Sequence, residues 1–147
     1  MRKLLLTVHI IVSVGLLGDS AGYLAVAIRA AAASDPAIAE VSYRTLRMFA
    51  YVFGIPLSFA ALLTGLLLGF GTPWGVFRYP WVVAKLLLIV SVIAVGALVL
   101  NGGMDAMISG RGGAEGQLIA GAAYDVVALM VATALSVYKP GRRRSFG

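Results

Sequence analysis

The sequence predicts an all-α integral membrane protein, a bundle of four transmembrane helices. Two compositional facts and one pattern lead there. Of 147 residues, 61% are hydrophobic and only 12% charged, about half the charged share of a soluble domain. Mean hydropathy is +0.96. Apolar runs recur four times, separated by polar or glycine-rich connections. A span needs about 20 mostly apolar residues, so residues 1–147 form one transmembrane domain with no room for a separate soluble one.

The first span is expected over residues 4–28. A basic start before an apolar run also fits a signal peptide, and residues 30–33 before Ser34 resemble a cleavage region. A signal core is about 7–15 residues long, whereas this run is about 25 residues and contains Asp19, so a retained helix is expected. Ser34-Asp35-Pro36 reads as a helix start, a cap followed by proline in the first turn. Glu40 and Arg44 then sit four apart on an external turn, and the helix continues into a second span over residues 48–70. Pro56 should kink it, since proline removes a backbone bond and crowds the preceding turn.

Gly71-Thr72-Pro73-Trp74-Gly75 is a turn cluster. Arg78-Tyr79-Pro80-Trp81 follows, where aromatics beside an arginine suit a membrane–water interface. The third span is expected over residues 81–100, then a flexible loop rich in glycine, and a fourth span over residues 117–138 that Lys139-Pro140 ends.

The net charge of +6 does not indicate nucleic acid. Six of the twelve basic residues lie at the ends, namely Arg2, Lys3, Lys139, Arg142, Arg143 and Arg144. Two termini cannot form a folded basic face; they mark cytoplasmic ends instead, and the tail can attract anionic headgroups at roughly 1 kcal/mol per residue. The expected setting is the cell membrane with both termini in the cytoplasm. Arg29, Arg44 and Arg47 then fall outside, which counts against this orientation unless they snorkel or pair with acids. The chain has no cysteine and one histidine. Disulfides, iron–sulfur clusters, thiolate metal sites, cysteine nucleophiles and multi-histidine metal sites are therefore excluded.

Polar groups inside the spans carry the functional reading. An acid near the bilayer centre costs about 2.5–3.5 kcal/mol on insertion scales. Asp19 lies mid-span and Asp125 two turns into the fourth helix. At 1.5 Å per residue they sit roughly 13–15 Å and 10–12 Å below the outer ends of their helices, so they can share a layer. Gly15, Gly18 and Gly22 surround Asp19, with Gly18-x-x-x-Gly22 a close-packing pattern. Gly121, Asp125, Ala128 and Ala132 form a small-residue stripe. Arg47, Tyr51, Gly54, Ser58, Ala61 and Gly65 fall on one face of an ideal helix, which aims Arg47 and Tyr51 at both carboxylates. The expected site is thus Asp19, Asp125 and Arg47, with Tyr23, Tyr51 and Tyr124 as hydrogen-bonding partners. An apolar setting for one acid and a guanidinium beside the other would leave one a proton donor and the other an acceptor. The competing reading is an ion-paired network that only holds helices together.

His9 lies in the inner half of the first helix, with Ser13 one turn away. It reads either as a haem ligand or proton relay, with a methionine or a second subunit's His9 completing the pair, or as a histidine bonded within the bundle. Lys85, four residues after Trp81, reads as a snorkelling lysine or as a buried one whose ionisation is perturbed. Trp74 and Trp81 read as interface anchors.

The stretches LLLTVHIIVSVG and ALLTGLLLGFGTPWGVFRYPWVVAKLLLIV, with the short polar connection between the first two spans, resemble a family of small bacterial predicted integral membrane proteins known only as a domain of unknown function. The resemblance covers about the first 100 residues. It implies a four-helix membrane fold, carries over His9 and the segment from Thr72 to Lys85, and supplies no activity. Relatives look apolar where this chain has Gly18-Asp19, which suggests an acid added for a specialised role.

The leading expectation is a membrane-embedded acid–base enzyme, a cyclase, epoxide-opening enzyme or isomerase, acting without cofactor on a lipophilic small molecule that enters from lipid. Asp19 and Asp125 would be donor and acceptor, Arg47 would orient or stabilise charge, and a tyrosine would assist. Two alternatives stand beside it. One is haem binding or electron transfer through His9. The other is a proton-coupled carrier or accessory subunit, for which a homodimer would be required of so small a unit.

Overall fold

The computed structural model describes residues 1–71 and 75–140. Four long helices carry the described chain: α1 (Arg2–Ala32), α2 (Pro36–Phe70), α3 (Pro80–Ile108) and α4 (Glu115–Tyr138). Each is long and apolar enough to cross a membrane. Each packs on its two neighbours in the ring α1–α2–α3–α4, so the fold is an up-and-down four-helix bundle in which Arg2 of α1 and Tyr138 of α4 lie at one end. Thr72, Pro73 and Trp74 of the expected turn, and Arg142, Arg143 and Arg144 of the basic tail, lie outside the described residues.

Local chemistry sets the boundaries. Asp35 caps α2 by accepting a hydrogen bond from the Ala37 amide at 2.9 Å, and Pro36 occupies the first turn, where no amide donor is needed. Lys139 closes α4 in the left-handed region, with φ 45°. The α3–α4 connection turns on Gly110, Gly112 and Gly113, all at positive φ, where a side chain would be strained. The expected loop after residue 100 is half helix: α3 runs on to Ile108, and Gly103 fits a close approach to α4. A Cβ on Gly103 would lie 2.8 Å from Leu118 Cδ2.

The helices are not regular throughout. The π turn Ala50–Gly54 interrupts α2 immediately before Pro56, and a second, Gly96–Leu100, interrupts α3. The ring of Pro56 removes one donor and crowds the carbonyl four residues back. A widened turn is a way to accommodate both, and it stands where a kink was expected. Each π turn adds one residue, which rotates everything N-terminal to it by about 100°.

Two apolar clusters fill the interior. The one toward the α1–α2 and α3–α4 connections, here called outer, holds Tyr23, Ala27, Leu46, Leu100, Met104, Leu118 and Ala122; the one toward Arg2 and Tyr138, here called inner, holds Leu16, Ala61, Val92, Ala128 and Leu129. Of the expected glycine pair on α1, only Gly22 packs closely, its Cβ position 3.0 Å from Phe49 Cε1. Gly18 meets nothing within 4 Å. The spacing was right for a contact face, but that face is set one residue round, by Gly15, Asp19 and Gly22.

Candidate functional site

Between the two apolar clusters lies a cavity of about 260 Å³. Its polar lining comes from all four helices: Asp19, Ser20 and Tyr23 of α1, Tyr51 and Ser58 of α2, Asn101 of α3 and Asp125 of α4. The expected meeting of Asp19 and Asp125 is thus realised as two carboxyls on one chamber. Leu16 and Val92 of the inner cluster floor it, and Tyr23, Leu100, Met104 and Ala122 of the outer cluster roof it.

Both π turns border the chamber, through Ala50, Tyr51 and Gly54 on one side and Gly96, Ala97 and Leu100 on the other. Such turns gather at functional sites. Gly54 matters most, since a Cβ there would stand 3.2 Å from Asp19 Oδ2; the missing side chain lets the carboxylate reach α2. Ser58 turns its hydroxyl back to the Ile55 carbonyl at 2.9 Å.

Among the described residues, three polar atoms in the bundle interior lack a protein hydrogen-bond partner. Asp19 Oδ1, Asp125 Oδ1 and the Tyr23 hydroxyl are buried without a hydrogen-bond partner. Asp125 is 5% exposed and Tyr23 4%. The Tyr23 side chain lines the same chamber as both carboxyls. A buried polar group left unpaired costs about 1–3 kcal/mol, so three on one chamber are a large expense for a scaffold.

Arg47 is not part of this chamber, which corrects the expected acid–arginine–acid triad. Its Nη2 donates to Asp105 Oδ1 at 3.2 Å, with both side chains about half exposed. The physical cause is the π turn at Ala50–Gly54: Gly54, Ser58 and Ala61 keep the face predicted for them, but Arg47, N-terminal to the extra residue, rotates from α1 toward α3. Tyr51, inside the turn, still lines the chamber and donates to Asn101 Oδ1 at 3.4 Å. Tyr124 is also corrected. One residue from Asp125, it points about 100° away, is exposed, and donates to Ser91 Oγ at 2.8 Å.

His9 lies below the floor, on the inner side of Leu16 and Ala61. Its Nδ1 is 2.7 Å from Thr64 Oγ1, and that hydroxyl is 2.7 Å from the Ala60 carbonyl. With the hydroxyl proton given to the carbonyl, Nδ1 carries the imidazole proton and Nε2 is left bare. Ser13 donates to the His9 carbonyl at 2.7 Å, not to its ring. Lys85 and Lys139 both lie over the Trp81 ring, at 5.8 and 6.0 Å. Among the described residues no group of three or more His, Cys, Asp or Glu side chains is placed to hold a metal ion.

Sequence reasoning missed Asn101 and Asp105, which it placed in a flexible loop. The signal was present, because Asn101 and Asp105 repeat at the same four-residue interval as Arg47 and Tyr51, as two facing helices require for paired rungs.

Fold and site together define an integral membrane protein of four spans with a buried acidic chamber. The chain belongs to the family described as "Predicted integral membrane protein (DUF2269)", whose model matches residues 3–140, so the kinship runs well beyond the first 100 residues. No curated protein matches it, and no solved structure does.

Proposed function

We propose that this chain is a membrane-embedded acid–base catalyst acting on a lipophilic small molecule. The observation that carries the reading is the trio of unpartnered oxygens on one chamber: Asp19 Oδ1, Tyr23 OH and Asp125 Oδ1. The structural alternative, an ion-paired brace, needs a cation beside the acids, and the chamber lining contains none.

The way in is lateral. The exposed members of the lining are Tyr51, Ile55 and Phe59 of α2 and Ala97 of α3, so the chamber opens between these helices at hydrocarbon depth. Packed apolar layers above and below favour entry from lipid over a path across the membrane, which places a carrier second. Two carboxyls in a dry space without a cation hold one proton between them far more cheaply than two negative charges. That singly protonated pair supplies a donor and an acceptor together. One carboxyl gives its proton to the substrate while the other carboxylate removes one; the substrate is rearranged with its formula unchanged, as in an isomerisation or a ring closure. The proton then returns between the acids, on the chamber that Tyr23 also lines. The chemistry draws on no cofactor.

The setting proposed is the cell membrane with both termini cytoplasmic. Among the described residues Arg2, Lys3, Arg78, Lys85 and Lys139, and none of the acids outside the chamber, belong to the end where α1 starts and α4 stops. At the other end Arg44 pairs with Glu40 and Arg47 with Asp105, which answers the objection for these two and leaves Arg29 as the one charge against this orientation among the three.

The test compares lipophilic extracts of membranes bearing the intact chain, Asp19→Asn or Asp125→Asn, by chromatography and mass spectrometry. A pair of isomers interconverted by the intact chain alone is expected. A conversion that persists in both variants, or no pair shifted by the intact chain, contradicts the proposal.

A further inference from the structure

We infer that the molecule bound in the chamber is an anionic amphiphile, its carboxylate or phosphate head held by Arg44 and Arg47 and its apolar body passing under Tyr51 into the acidic chamber. This names the ligand class for the site proposed above and rests on that reading. The observation is a second cavity, a groove of about 380 Å³ lined by Arg44, Arg47, Met48, Tyr51 and Ile108. Tyr51 belongs to both linings, so one side chain is the wall between a basic groove and the acidic chamber.

The seam above the lateral opening is held by two rungs at matching intervals, Arg47–Asp105 at 3.2 Å and Tyr51–Asn101 at 3.4 Å. Both lie at or beyond the long end of hydrogen-bond distances, and the first is a half-exposed pair of the kind that contributes little. Both are therefore cheap to exchange. A guanidinium has five N–H donors. Arg47 spends one of them on Asp105, and Arg44, one turn away on the same face, gives its Nε and Nη2 to the exposed Glu40, so each keeps donors for an oxyanion in the groove. Met48 and Ile108 give the first carbons of a chain an apolar wall. Below Tyr51 the opening is bordered by Ile55 and Phe59 facing Ile93 and Ala97, which suits a hydrocarbon body and no charge.

The register fixes a distance. Gly54, where Asp19 meets α2, is seven residues below Arg47, or about 10 Å along the helix. The group that meets the acids therefore lies about 10 Å from the charged head. A lipid headgroup and a freely diffusing anion share the head chemistry, but only an amphiphile reaches both places.

The experiment uses the purified full chain in phosphatidylcholine nanodiscs with three photoreactive probes of one chain length: a diazirine fatty acid, the matching alkyl phosphate and the matching uncharged alcohol. Labelled residues are mapped by mass spectrometry. The two anions should label the chamber segments around Phe59 and Ala97 at least ten times more than the alcohol does. Inorganic phosphate should not compete, which separates an amphiphile from a free anion. Arg47→Gln should bring anion labelling down to the alcohol's level, and Arg47→Lys should restore part of it. Equal chamber labelling by anion and alcohol in the unsubstituted chain overturns the anionic head while leaving the lipophilic chamber standing. Competition by inorganic phosphate overturns the amphiphile. Labelling confined to lipid-facing residues with all three probes overturns this inference and the chamber reading together. The comparison of probes in the unsubstituted chain needs no variant to fold.

Discussion

Replacing Asp125 by leucine separates a functional acid from a structural one by the sign of the stability change. A carboxyl that braces helices in an ion pair costs about 3–5 kcal/mol to remove, because its partner charge is left buried and alone. Asp125 has no such partner; its Oδ1 is buried and unsatisfied, and the chamber beside it has about 260 Å³ to receive a larger side chain. Removing an unsatisfied buried polar group returns about 1–3 kcal/mol. Asp125→Leu is therefore expected to be neutral or more stable by up to about 3 kcal/mol, and Asp125→Asn, which keeps shape and polarity, within about 0.5 kcal/mol of the parent. The assay is reversible unfolding of the full chain in mixed micelles, followed by helical circular dichroism. A loss of about 3 kcal/mol or more in Asp125→Leu, of the size a broken buried pair gives, refutes the reasoning and returns the acids to a bracing role. A gain in stability at the expense of conversion is the signature of a site that carries strain for function.

Two further outcomes follow from the packing and are read by the same unfolding assay. A Cβ on Gly121 would lie 2.7 Å from Leu100 Cδ2, so Gly121→Ala should overpack the α3–α4 contact and cost about 1–3 kcal/mol; Gly18→Ala, whose Cβ meets nothing within 4 Å, should be neutral or stabilising by up to about 1 kcal/mol. A double-mutant cycle of Arg47→Gln and Asp105→Asn should give a coupling of at most about 1 kcal/mol, whereas a larger one would mean that the rung is structural and not exchangeable.

The four spans were legible because apolar length is read directly against bilayer thickness, and the stripe Gly121, Asp125, Ala128 was legible because α4 is regular over its whole length. The same reasoning placed Asp19 and Asp125 on one chamber, since both sit on helices with no irregular turn near them. It failed for Arg47 because face arithmetic assumes 3.6 residues per turn, and the π turn before Pro56 breaks that count by one residue. Pro56 announced an irregularity but not its sense; a kink that kept register would have left Arg47 facing α1. Tyr124 was expected as a hydrogen-bonding partner of the acids, but it adjoins Asp125 in sequence and neighbours on a helix point apart. Asn101 and Asp105 were hidden by Gly102 and Gly103, which read as loop residues, while in the fold the lack of a side chain at Gly103 serves the approach of α4 to α3.

The proposed chemistry requires two acids facing one chamber that is open to lipid and closed to water. Dicyclohexylcarbodiimide, a lipid-soluble reagent for protonated carboxyls, tests this on the intact chain when followed by mass spectrometry of the whole protein. One adduct per chain is predicted, on Asp19 or Asp125, the first blocking the second, and lost only when both are replaced by asparagine; a water-soluble carbodiimide should leave both acids unmodified. Two adducts on the same chain, none at all, or equal modification by the water-soluble reagent would contradict a shared, lipid-facing chamber.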